Sequence, residues 1–228
     1  MNSNLVGIAA IGLFGASAAA RGPEWVEQGD AGAQLATAQP ITGSGTLSKI
    51  SGALTGFSLE GAGDFEDMFL VQVLTPSSFS LQTTDAGGGG ASFDTQLWVF
   101  NVDGAGLLGN DNATPNIAGT TTGSAIFQFA NDGSESGIFS PGFYFICISG
   151  AGNRPVGSEG QLFFFKSPFE VSGPDGPGGA GSLSGWAPEG ATGEYTIAIS
   201  GSGFVPGPGG LATLAAGLTA RSRRRRRD

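Results

Sequence analysis

The residues of this chain best suited to chemistry are oxygen donors. Asp64, Glu66 and Asp67 crowd together just ahead of the apolar run at residues 68–74. Asp94 opens a second run, residues 95–100, and Asn101, Asp103, Asn110, Asp111 and Asn112 follow it closely. Short Asp/Asn/Gly loops of this kind supply the carboxylate, amide and carbonyl oxygens, about 6–8 in number, that a calcium ion takes. Calcium is therefore the one cofactor the sequence suggests, with Asp64, Glu66, Asp67, Asp94, Asp103, Asn110 and Asp111 as candidate ligands. Asp, Asn and Gly are also the ordinary material of hairpin turns, so the same residues have a purely conformational reading.

Other chemistries find little support. Histidine is absent, which removes the commonest general base and the commonest metal ligand. The one cysteine, Cys147, sits in an apolar run and reads as a small core residue without an activating base. It has no second cysteine with which to form a disulfide. Carboxylate pairs such as Asp64 with Asp94, or Asp67 with Asp111, have the residue types of a glycosidase, but nothing in the sequence places them in a cleft. The glycine run at 87–90 lacks the Lys and Ser/Thr of a phosphate loop. Trp98, Trp186, Phe163, Phe164 and Phe165 are candidates for stacking on sugars, with core packing the competing role.

The elements that must position these residues are strands. Forty-two of 228 residues are glycine, and the charged fraction is 13%. Glycine inside a helix is destabilising by about 1 kcal/mol relative to alanine, so a mainly helical fold is excluded. Seventeen Phe and 3 Trp need a core, which argues against disorder. Alternating or apolar runs at 46–59, 68–74, 79–83, 95–100, 124–129, 143–149 and 194–200, with a further strand at 162–165, are separated by turn residues. This pattern predicts an all-β fold, an antiparallel β-sandwich of jelly-roll or Greek-key kind. The Gly/Pro-rich stretch 172–184 reads as a long surface loop.

Charge is divided unevenly. Residues 22–205 hold 18 acids and only three bases, Lys49, Arg154 and Lys166, for a net of −15. A body this acidic repels nucleic acid and anionic lipid. Six arginines, Arg221, Arg223, Arg224, Arg225, Arg226 and Arg227, fall in the last eight residues.

The two ends read as targeting segments. Residues 5–20 are apolar and finish in Ala16-Ser17-Ala18-Ala19-Ala20, the pattern of a secretory signal peptide cleaved near Ala20. At the other end come Pro206-Gly207-Pro208, the apolar stretch 210–220 and the arginine cluster. A helix of about 11 residues reaches roughly 17 Å, short of the ~30 Å hydrocarbon core, so it suits transient membrane insertion. This order of Pro-x-Pro, apolar helix and arginines resembles the PEP-CTERM sorting signal of Gram-negative bacteria, with Gly207 in place of that family's Glu. The resemblance implies an exosortase-like processing enzyme, the secretion machinery as partners, and delivery to the envelope or outer surface.

Between the ends, several pieces resemble the bacterial pre-peptidase C-terminal domain, a small secreted β-sandwich. They are Gly63-Asp64-Phe65-Glu66-Asp67, Phe93-Asp94-Thr95-Gln96-Leu97-Trp98, Asp103-Gly104, Gly109-Asn110-Asp111-Asn112, Ser140-Pro141-Gly142-Phe143-Tyr144 and the strand at Tyr195. The expected organisation is a signal peptide at 1–20, a linker at 21–44, the β-sandwich at 45–203 and the sorting signal at 204–228. The expected role is non-enzymatic, that of a structural or adhesive envelope or matrix protein. An exopolysaccharide-binding module is the alternative, and a carboxylate-based secreted hydrolase a more distant one.

Overall fold

In a strand, successive side chains point to opposite faces, and the apolar alternation of this chain resolves into three sheets. The computed structural model describes residues 23–57, 63–115 and 122–207. The expected signal peptide, Pro208, the apolar tail and its arginines lie outside the described residues. Among the described residues no helix is long and apolar enough to cross a membrane.

The first sheet runs β1 (Glu24–Val26), β3 (Lys49–Leu54), β15 (Gly193–Ser200), β5 (Ser80–Gln82), β9 (Ala125–Phe127), with β6 (Gly90–Ala91) also paired to β15. The second runs β13 (Val171–Ser172), β8 (Gly106–Asn110), β7 (Thr95–Phe100), β10 (Gly142–Gly150), β4 (Glu66–Val73), β16 (Ser202–Gly203), with β2 (Gln39–Pro40) also on β4. A third, small sheet joins β12 (Gly160–Gln161), β11 (Arg154–Gly157) and β14 (Gly185–Ala187). Two pairings are parallel, β1 with β3 and β2 with β4; the other strand pairs are antiparallel.

The first two sheets bury a common core. Phe69, Val71 and Val73 of β4, Leu97 and Val99 of β7, and Ile146 and Ile148 of β10 meet Ile50 and Leu54 of β3, Leu81 of β5, and Ile197 and Ile199 of β15. The alternate positions of the second sheet do not face water. Met68, Trp98, Phe100, Phe145 and Cys147 form a second buried cluster with Leu162, Phe163 and Leu183. The Trp98 ring lies 5.2 Å from Phe163, 5.7 Å from Phe165 and 6.3 Å from Trp186. Trp98 gives its indole N–H to Ser149 Oγ at 2.9 Å. The second sheet is thus covered on both faces, and Cys147 is a fully buried core residue whose thiol burial pushes well up.

Three expectations change. Residues 162–165 form no strand; Leu162 and Phe163 instead insert into the second core while Phe164 stays 52% exposed. The stretch 172–184 is not a free surface loop. It folds back on the second core, with the Gly176 N–H donating to Leu162 O at 3.1 Å and the Gly178 N–H to Gln161 O at 2.8 Å. The packing there is close enough that a Cβ on Gly179 would stand 1.9 Å from Pro174 O. The expected linker contributes β1 and β2, and Trp25 is buried with its indole N–H on Gln39 Oε1 at 2.8 Å.

The second core has a direct test. Trp98→Ala should lower stability by about 3–5 kcal/mol, as large-to-small core changes do, whereas Phe164→Ala should stay within about 0.5 kcal/mol. Urea unfolding of the two variants measures both. Equal small losses would mean that the covering layer contributes little.

Candidate metal centre

The acidic residues gather at one end of the second sheet because three strand registers align there. Glu66 of β4 stands opposite Ser149 of β10, which stands opposite Gln96 of β7. Leu97 pairs with Asn110, so Asp111, the next residue, falls beside Gln96. The strands that begin at Glu66 and Thr95 therefore start at the same end. Alternation then sorts the side chains by face. Asp67 points inward with Phe69 and Val71, whereas Glu66 points outward.

Asp67 is fully buried. Its Oδ2 accepts the Tyr195 hydroxyl at 2.6 Å across the gap between the first two sheets, and its carboxyl also shares a hydrogen bond with the Glu27 carboxyl. Burial pushes its carboxyl up to about 8 against the pull of the Tyr195 hydroxyl, and the charges of Glu27 and Asp64 add to the rise. Burial, with Asp67 alongside, raises Tyr195 far above the usual phenol range.

Asp64 precedes β4 in an antiparallel bridge to Gly56. Its Oδ2 accepts both the N–H and the hydroxyl of Thr55 at 2.8 Å, which leaves Oδ1 buried and without a hydrogen-bond partner. Two further acids come from the segment after β1. Glu27 follows the parallel strand, and its carboxylate accepts the N–H groups of Ala31 and Ala53, each at 3.0 Å. Burial raises Glu27 against those two hydrogen bonds. Asp30 takes the Gly32 N–H on Oδ1 at 2.6 Å. Gly29 and Gly32 both have φ of +70°, which turns the chain back. Gly32 O accepts the Met68 N–H at 2.9 Å, holding this loop on β4. Carboxylate oxygens of Asp30, Asp64 and Asp67 lie within 4.8 Å of one another.

The other candidate ligands go elsewhere. Glu66 accepts a hydrogen bond from Asn153 Nδ2 on the outer face, and burial raises its carboxyl despite that bond. Asp94 and Asp111 form a second acidic point. Burial raises both, with Asp111 adding to the rise of Asp94, while Gln96 and Arg154 pull Asp111 down. The pull of Gln96 on Asp111 is a side-chain hydrogen bond between the two neighbouring residues. Asn110 is committed to backbone: its Oδ1 accepts the Ala125 N–H at 2.7 Å, and its Nδ2 donates to Asn112 O and Glu170 O. Asp103 sits in the turn at the opposite end of the β7/β8 hairpin, where its N–H bonds Asn101 Oδ1 at 3.0 Å. The seven candidates therefore do not form one site. Asp64 and Asp67 meet there, joined by Asp30 and Glu27 from a stretch expected to be a linker. The sequence signal available for that pair was Glu27-Gln28-Gly29-Asp30-Ala31-Gly32, an acid and glycine alternation typical of oxygen-donor loops.

The residues present offer oxygen donors alone, which suits a hard cation and not zinc or copper. The carboxylate pair Asp67 and Asp111 falls on opposite faces of the second sheet and does not flank a common cleft. In comparisons with known proteins, no family model and no curated sequence matches the chain.

Two outcomes follow. Tyr195→Phe removes a hydrogen bond to a buried carboxyl and should lower stability by about 1–3 kcal/mol, measured by thermal unfolding. The second concerns pH. Folded Asp67 keeps its proton up to about pH 8, whereas the unfolded chain releases it near pH ~3.9. The folded state binds more protons between those values, so stability falls as pH rises through that window and levels off above it. Glu27, Glu66, Asp94 and Asp111 shift in the same direction. Asp67→Asn mimics the protonated carboxyl and should flatten this slope in chelator-containing buffer. An unchanged slope would assign it to other groups.

Proposed function

We propose that this chain is an exported protein of a Gram-negative envelope or extracellular matrix, with a β body that serves as a non-enzymatic structural or adhesive module. The body is a β-sandwich of jelly-roll or Greek-key kind, similar to pre-peptidase C-terminal domains. The observation that carries the reading is the order of features along the chain. An apolar segment with a small-residue end precedes an acidic all-β unit, and Pro206-Gly207-Pro208, an apolar stretch and six arginines follow it. Strand pairing among the described residues begins at Glu24 and its last bridge is at Val205. The paired unit thus fills the interval between the two proposed targeting segments and takes in Phe204 and Val205, the first two residues of the segment expected at 204–228.

In this reading the secretion machinery removes the first ~20 residues. The arginines hold the apolar tail at the cytoplasmic side until an exosortase-like enzyme acts at the Pro-Gly-Pro motif. The acidic body keeps away from nucleic acid and from anionic headgroups. The exopolysaccharide-binding alternative has less support, because of the five aromatic residues it relied on only Phe164 is exposed. Trp98 and Phe163 are fully buried, and Trp186 gives its indole N–H to Ala33 O at 2.7 Å.

Intact mass of the protein taken from its native envelope or medium tests the proposal. The expected mass lacks both the first ~20 residues and the arginine-rich end. A mass that retains the arginines would overturn processing at the C-terminal signal, and one that retains both ends would overturn export itself.

A further inference from the structure

We draw no further inference here: the strongest candidate, the exposed ring pair of Phe129 and Phe139 just beyond β9, carries nothing, because nothing in the structure shows what covers it.

Discussion

Burial of the second sheet on both faces is the constraint on which the rest of this structure depends. With one cysteine the chain forms no internal disulfide, and with no long helix among the described residues it must obtain its stability from apolar area removed from water. All six residues of β7 are buried, as are the last six of β10. One face of these strands meets the first sheet, and the other meets Leu162, Phe163 and Leu183. The third layer, which elsewhere in a chain would pass for loop, supplies half of that burial. Its glycines are part of the packing: at Gly109 a Cβ would stand 2.7 Å from the Trp98 ring, so only glycine lets β8 lie this close to the indole.

A sheet buried on both faces leaves its strand ends as the place for polar groups, and the polar groups there are tightly engaged. Thr83, Thr95 and Ser124 link hydroxyls at 2.7 and 3.0 Å. Ser149 accepts from Trp98 and donates to Asn153 O. Asp67 meets Tyr195 across the core. The hydroxyl chain and the Asp67–Tyr195 bond tie the first sheet to the second at the same end where the acids collect. Such networks are stabilising when every member is satisfied and expensive when one is not, and Asp67 is tied into this one by Tyr195 and Glu27.

Much of the strand framework was legible in the sequence. The run at 95–100 is β7 to the residue, and the runs at 68–74, 143–149 and 194–200 contain most of β4, β10 and β15. These segments alternate or run apolar over six residues or more, so periodicity reports them. The two-residue strands carry no period and were not legible. Neither was β1, because its pairing with β3 is parallel and brings together residues 25 positions apart in sequence. The candidate site was half legible for the same reason. Asp64 and Asp67 are local to a strand start, whereas Glu27 and Asp30 reach them only through the β1/β3 pairing and the Gly32 to Met68 hydrogen bond. Proximity in sequence also misled. Asp103 and Asp111 look like one loop, yet β8 lies between them and carries them to opposite ends of a hairpin.

That contrast separates an acid used for conformation from an acid used for charge. Asp103 is exposed in a turn that Asn101 Oδ1 ties to its backbone, and high-dielectric solvent screens whatever field it feels. Asp85, Glu159, Glu189 and Glu194 are likewise exposed. Nine acids among the described residues are exposed in this way, where repulsion is weak. Asp67 departs from this distribution: it is fully buried, with half-buried Glu27 and Asp64 beside it and exposed Asp30 at the edge of the group. Turn propensity gives no reason for such a concentration, since Asp67 lies in a strand and faces the core. The gathering of these acids requires a compensating positive charge or proton, and a proton on Asp67, donated to the Glu27 carboxylate, supplies it.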